Sequence, residues 1–242
     1  MNDHELAAAL AAEAGRLLLD VRTEFADAPS EERKAAGDMR SHDFLIARLA
    51  AARPGDAVLS EEGADDPIRL RSDRVWIVDP LDGTREFAEP GRADWAVHVA
   101  LWSGGELIAG AVALPARGVT LATPQVPPLP PAPAVPRIVV SRTRPPAVAL
   151  RVRAALGATL VEMGSAGAKV AAVVQGDAEV YVHAGGQYEW DSAAPVAVAR
   201  AAGLHTSRID GSPLRYNQSE LLLPDLVVCR PQYAQAVLAA LR

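Results

Sequence analysis

The chain is predicted to fold as an α/β layer sandwich, and three observations carry that expectation. Apolar residues near the N-terminus recur with helical spacing, β-rich runs begin near residue 57, and strand-like and helix-like segments alternate beyond residue 137. Half of the 242 residues are apolar, which is enough for a folded core and argues against a disordered chain. The length suits one large domain or two smaller ones.

Leu6, Leu10, Ala14, Leu17, Leu18 and Val21 mark the buried face of a first helix. A second helix is expected from about Asp38 to Ala52, burying Phe44, Leu45 and Leu49 and stopping before Pro54-Gly55. Ala57–Ser60 and Arg74–Asp79 read as short strands that end in acidic loops. Trp95–Trp102 and Glu106–Leu114 form a hairpin around Ser103-Gly104-Gly105, and Arg117–Thr123 adds a further strand. Residues 124–136 hold seven prolines in thirteen positions, a composition that favours extended chain and cannot donate ladder hydrogen bonds. It reads as a crossover between an N-terminal α+β half (1–123) and a C-terminal α/β half (137–242), or as a long surface loop within one domain. Beyond it, strands at Arg137–Ser141, Thr159–Met163 and Ala178–His183 alternate with helices at Pro145–Leu156, Ala166–Gln175 and Ser192–Ala202. A last strand, Leu226–Cys229, precedes a last helix, Gln232–Leu241.

Charge and cysteine content narrow the function. The 24 Lys and Arg against 30 Asp and Glu leave a net charge of -6, with no basic excess for a nucleic-acid polymer. A single cysteine, Cys229, excludes an internal disulfide and suits a reducing compartment. The opening MNDHELAAALAAEAGRLLLD is neither a signal peptide nor an anchor, and no apolar run reaches the ~20 residues that span a bilayer. A cytoplasmic protein with no membrane association is therefore expected. Cys229, His98, Trp76, Trp95 and Trp102 read as core residues, Trp190 as a wedge beside Asp191, and the scattered histidines form no zinc pattern.

The informative stretch is Asp79-Pro80-Leu81-Asp82-Gly83-Thr84. Pro80 holds Asp79 extended at the end of its strand, Gly83 permits a sharp turn, and Thr84 opens a short helix whose free N–H groups can cradle phosphate. Two carboxylates three residues apart can share a hard cation such as Mg²⁺. A plain hydrogen-bonded turn would account for Asp82, Gly83 and Thr84, but it leaves Asp79 as a costly charge at the end of an apolar strand. Glu61 and Glu62 also follow a strand, and Asp191 begins an Ala-rich helix. Alone, these would be a solvated pair and a helix cap.

Together, Leu59-Ser60-Glu61-Glu62, Asp79-Pro80-Leu81-Asp82-Gly83-Thr84 and Trp190-Asp191-Ser192-Ala193 resemble, in order and spacing, the three metal-binding motifs of the inositol monophosphatase superfamily. Its members are Mg²⁺-dependent, lithium-sensitive phosphatases. The likeness covers nearly the whole chain and is strongest to the CysQ-type, actinobacterial branch. Ser141-Arg142-Thr143-Arg144, Gly164-Ser165-Ala166-Gly167-Ala168-Lys169 and Pro213-Leu214-Arg215-Tyr216-Asn217 support that branch.

The resemblance implies a layered αβαβα sandwich with the metal site between the halves. It implies hydrolysis of the 3′-phosphate of 3′-phosphoadenosine 5′-phosphate (PAP), with inositol phosphates or fructose-1,6-bisphosphate as alternatives, and a possible homodimer. It also implies roles for single residues. Glu61, Asp79 and the Leu81 carbonyl would hold one Mg²⁺, and Asp79, Asp82 and Asp191 a second. A third, weaker ion would sit by Glu61. Asp38 and Thr84 would activate water, and Gly83, Thr84 and Arg85 would grip the scissile phosphate. Ser141, Arg144, Ser165 and Lys169 would contact the rest of the nucleotide. Two departures stand out. Glu32-Arg33-Lys34-Ala35-Ala36-Gly37 replaces the usual Lys-x-Asp-Gly-Ser-Pro-Val-Thr run, and Arg144 replaces a common His.

Other classes fit less well. The haloacid-dehalogenase signature needs one residue between its aspartates and lies near the N-terminus, whereas two separate Asp79 from Asp82. Gly164–Lys169 lacks the Gly-Lys-Ser/Thr of a nucleoside-triphosphate loop. A catalytically silent metal or phosphate sensor would not need all of Glu61, Asp79, Asp82, Thr84 and Asp191.

Overall fold

The computed structural model describes residues 1–143 and 145–242. Five layers stack in the order helices, sheet, helices, sheet, helices. The outer helices α1 (Asp3–Glu24) and α2 (Ser30–Ala52) cover a first sheet built from β1 (Ala57–Ser60), β2 (Arg74–Asp82), β3 (Ala96–Ser103), β4 (Glu106–Leu114) and β5 (Val119–Ala122). Its strands lie in sequence order, with β1 parallel to β2 and every later pair antiparallel. A short helix, α3 (Thr84–Ala88), follows β2.

The second sheet is ordered β7-β6-β8-β10-β9. Its strands are β6 (Arg137–Ser141), β7 (Thr159–Met163), β8 (Val180–Tyr188), β9 (His205–Ser207) and β10 (Leu222–Cys229). Here β6 runs parallel to β7 and β8, while β10 is antiparallel to β8 and β9. The helices α5 (Ala166–Gln175) and α6 (Glu189–Ala201) fill the middle layer, and α4 (Ala147–Leu156) with α7 (Ala234–Leu241) close the far side. No described helix is long and apolar enough to cross a membrane.

Strand parity explains the layering. On β2, Val75 and Ile77 join the middle core with α5 and α6, while Trp76 and Val78 join the core under α1 and α2. Both faces are covered, so β2 reads as a continuous apolar run rather than an alternating one. Counting by twos, Asp79 belongs to the middle-layer face, and so does His98, its cross-strand partner on β3. A register shift between Asp79 and Asp82 then bends β2 and re-aims the carboxylates.

The second helix starts at Ser30, eight residues before the position expected from periodicity. The segment 30–37 is polar, so its packing is invisible to an apolar count. What anchors it is Arg33, which is buried and donates to the carbonyls of Phe25, Ala26, Ala28 and Ala88. Strand β8 runs on to Tyr188, past the expected His183, and α6 begins at Glu189 rather than Ser192. The short edge strand β9 was not legible in the sequence because three residues carry no period.

Candidate metal and phosphate site

The site lies where the C-terminal edges of parallel strands meet. Ser60 pairs with Val78 across β1 and β2, and the Glu61 N–H continues that ladder to the Val78 carbonyl, which sets Glu61 beside Asp79. In the other half, β6 and β7 end together at Ser141 and Met163, and the loop after β7 delivers Gly164 and Ser165 to α5. Asp191 stands in the first turn of α6, where its Oδ2 accepts the Tyr188 N–H at 2.6 Å and caps the helix.

Asp79, Asp82 and Asp191 each bring a carboxylate oxygen to within 4.8 Å of the others. Asp79 is buried and its Oδ1 accepts the Leu81 N–H at 3.0 Å. Burial first, and then the charges of Glu61, Asp82 and Asp191, push its pKa well above the usual carboxylate range. Glu61 is pushed up to about 7 by burial of its carboxylate and by repulsion from Asp191 and Asp82. Because the residue as a whole is exposed, repulsion is the firmer cause. Asp191 rises to about 6, through burial and the Asp82 charge.

These groups fit metal ions: hard oxygen donors converge, and the charges that repel one another there are what a cation would offset.

Asp82 behaves differently. Its carboxylate accepts from Ser165 Oγ at 2.6 Å, the Ala166 N–H at 3.0 Å and the Gly167 N–H at 2.5 Å, so it sits on the N-terminus of α5. Burial opposes its charge, but His98, Ser165 and the Gly167 N–H outweigh burial and hold its pKa down at about 2.

Asp38 lies on α2 one turn beyond Arg33. Gly37 brings this helix close to the β2–α3 turn, since a Cβ there would sit 2.8 Å from the Phe87 ring and 2.9 Å from Leu81. Thr84 Oγ1 is 3.3 Å from Asp38 Oδ1 and 3.2 Å from the Leu81 carbonyl. One hydroxyl hydrogen serves one acceptor at a time, so a hydroxyl directed at Asp38 leaves the Leu81 carbonyl free for a cation. Burial and the Glu62 charge raise Asp38 to about 6, and Lys34, itself paired with Glu31, pulls it down slightly. Gly83 precedes α3 with φ +85°, and a Cβ there would sit 2.9 Å from the Ser165 Cβ; glycine satisfies both demands.

The expected nucleotide contacts differ in placement. Arg85 is exposed on α3, with Nε 3.2 Å from Glu89 Oε1. Ser141 is half-buried at the end of β6. Arg144 lies outside the described residues. Ser165 is buried at φ +35° and caps α5 through the Ala168 N–H, besides its bond to Asp82.

Lys169 is placed differently from the other expected nucleotide contacts. It is buried, and its Nζ donates to the carbonyls of Gly164 and Ser165, at 2.8 and 2.6 Å. Its ammonium sits over the Tyr181 ring, and burial lowers its pKa. Holding two carbonyls of the turn into α5, it fixes the loop that carries Ser165. Lys169→Ala is expected to cost on the order of 2 kcal/mol in stability and to weaken binding of the substrate. Chemical denaturation and a Michaelis constant check both, and an unchanged Michaelis constant would separate Lys169 from the pocket.

Sequence reasoning missed several residues that join the halves. Asp94, paired with Arg92, accepts the Gly164 N–H at 2.6 Å, and Arg142 donates to Glu86 and Glu89. Arg69 is buried and bonds Asp65 and Asn217, and Asn217 with Gln218 donates main-chain N–H groups to Glu189, two residues before Asp191. His98, read as ordinary core, touches both Asp82 and Trp190. Its one sequence signal was a histidine in an otherwise apolar strand.

Comparisons with known proteins follow the same outline. The model of the inositol monophosphatase family matches residues 3–126 and 135–242. The 3′-phosphoadenosine 5′-phosphate phosphatase of Mycobacterium tuberculosis is 56% identical over 95% of this chain and 89% of its own length. The 3′(2′),5′-bisphosphate nucleotidase CysQ of Escherichia coli is 33% identical over 78% of this chain and 81% of its own. The crystal structure of CysQ from Bacteroides thetaiotaomicron superposes with a TM-score of 0.77 at 28% identity, covering 93% of this chain and 96% of that one.

Proposed function

Because the chain belongs to the inositol monophosphatase family, we propose that it is a metal-dependent phosphomonoesterase that converts PAP to AMP and phosphate. The observation that carries this reading is the meeting of Asp79 and Asp82, from the end of β2, with Asp191, from the first turn of α6, within 4.8 Å beside the Thr84–Asp38 pair. Mg²⁺, in two or three copies, is the cation such hard oxygens suit. Held by Glu61, Asp79, the Leu81 carbonyl, Asp82 and Asp191, it would offset the phosphate's charge, lower the pKa of a water and stabilise the leaving alkoxide.

The chain's own residues do the rest. The main-chain N–H groups of Gly83 and Thr84 and the Arg85 guanidinium orient the scissile phosphate. Thr84 Oγ1 accepts the hydrogen of the attacking water while donating its own to Asp38, which takes the proton. Water's oxygen bonds phosphorus as the bond to the 3′-oxygen breaks, and no aspartyl phosphate forms. Trapping one would refute direct attack. Ser141, Arg144 and the loop at Ser165 contact the adenosine and the 5′-phosphate, with Lys169 behind that loop.

With Asp38 raised to about 6, activity is expected to rise through that pH as the carboxylate forms. Asp38→Asn is expected to cost about a hundredfold or more in kcat and to flatten this acid limb. A pH–rate profile that keeps the limb in the variant would remove Asp38 from the role of base. Lithium inhibition, cytoplasmic location and a homodimer belong to the same proposal on family resemblance. Light scattering tests the last.

The deciding experiment is phosphate release with Mg²⁺ from PAP, fructose-1,6-bisphosphate and inositol-1-phosphate, each with and without lithium. A large preference in kcat/KM for PAP supports the proposal. Better rates on the sugar or inositol ester keep the metal chemistry and reject the nucleotide. Metal binding without release from any of them would indicate a silent sensor.

A further inference from the structure

His98 is fully buried in the middle of β3, on the face turned toward α5 and α6. Its ring spans two elements that come from opposite halves of the chain. Nδ1 lies 3.0 Å from the Trp190 carbonyl, and a carbonyl only accepts, so this nitrogen carries hydrogen and donates. On the other side, Nε2 is 3.2 Å from Asp82 Oδ2, within ion-pair range but off the line of a good hydrogen bond, and it has no other partner. Nδ1 is also 3.8 Å from Asp79 Oδ2. Gly167 backs the ring so closely that a Cβ there would collide with Nε2, and the Gly167 N–H meets the same Asp82 oxygen. A histidine serving only as core filler would have no reason to put its outer nitrogen against a carboxylate and force glycine on the helix behind it.

We propose that His98 is a positioning residue of the cation site: wedged between the Asp82 carboxylate and the main chain of Trp190, it sets the spacing between Asp82 and Asp191. The backbone of Trp190 leads directly into Asp191, so a strut from Trp190 to Asp82 fixes the two carboxylates relative to each other. Without it, α6 could shift against β2 and the site would lose its shared geometry. Outer partners of metal ligands typically change metal affinity by about 10–100-fold. The inference rests on the metal-dependent reading above.

Two substitutions separate the two contacts. His98→Asn places an amide N–H near the position of Nδ1 and keeps the bond to Trp190, while His98→Gln places one near Nε2 and keeps the approach to Asp82. The measurement is Mg²⁺ binding by isothermal titration calorimetry, alongside melting temperature and steady-state kinetics. Val97→Ala serves as the control, because Val97 is equally buried on the same strand but faces α1 and α2.

His98→Asn and His98→Ala are expected to raise the Mg²⁺ dissociation constant about tenfold or more. Their kcat should fall, while the Michaelis constant for PAP at saturating Mg²⁺ holds. His98→Gln, which gives up the Trp190 end of the strut, should weaken Mg²⁺ binding as well, and parent-like Mg²⁺ binding in that variant would also overturn the inference. Val97→Ala should lower the melting temperature without weakening Mg²⁺ binding. Parent-like Mg²⁺ binding in folded His98→Asn overturns the inference, as does equal weakening in Val97→Ala. If His98→Ala does not fold, the asparagine and glutamine variants decide. A parent protein that binds no Mg²⁺ at all would instead sink the metal-dependent reading, and this inference with it.

Discussion

Replacing Asp79 with asparagine is expected to lower kcat by more than about a thousandfold while leaving the metal-free fold intact. Loss of an outer partner alone costs about 10–100-fold, and Asp79 is placed at the centre of the cluster. It is buried, and three other carboxylates raise its pKa. Asparagine keeps the shape and the oxygen that accepts the Leu81 N–H, but it cannot supply the charge that a shared cation needs. Because the change also removes a repelled charge, the metal-free variant should melt at or above the parent's temperature. Stabilisation by Mg²⁺, which follows from ligand binding to the native state, should largely disappear. Substantial remaining turnover would remove Asp79 from the site, and a collapsed melting temperature would mean that its role is to hold the fold.

The metal-free protein is also expected to lose stability as pH rises from about 4 to about 8, with Mg²⁺ restoring it. Asp38 and Asp191 are raised to about 6 and Glu61 to about 7, so over this window the folded chain binds more protons than the unfolded one. Stability then falls with increasing pH. His98 adds in the same direction at the upper end: burial opposes its charge, the Asp82 carboxylate prevails, and the contribution is lost as the ring deprotonates above its raised pKa. Asp82 acts oppositely but only in acid, where protonation near its pKa of about 2 removes its stabilising contribution. A fall in melting temperature on the order of 5 °C between the ends of the window is the scale expected from a few kcal/mol. Calorimetry in EDTA and in Mg²⁺ checks this. A metal-free melting temperature that is flat or rising, with no larger Mg²⁺ effect at high pH, would mean that the carboxylates do not repel one another as placed.

Much of this chain was legible before any coordinates. Strand parity and helical spacing placed most elements, because burying an apolar face leaves a period of two or 3.6 in the residues themselves. The turn Asp79-Pro80-Leu81-Asp82-Gly83-Thr84 was legible for a different reason. Proline, glycine and a helix-opening threonine dictate backbone shape locally, and a charge at the end of an apolar strand needs an explanation there and then.

What the sequence could not supply were contacts between residues far apart in the chain. The start of α2 depends on Arg33 reaching four carbonyls, and polar anchoring leaves no apolar period. Lys169 was expected at the nucleotide, and what its ammonium closes on is the pair of carbonyls at Gly164 and Ser165. His98 looked like core, yet it stands between Asp82 and Trp190, 92 positions further along the chain from itself. Residue types and local spacing therefore determined which groups could hold a cation. Only the packing of two sheets around α5 and α6 decided which of them meet, because electrostatic and hydrogen-bonding partners are chosen by distance in space, and the sequence records only distance along the chain.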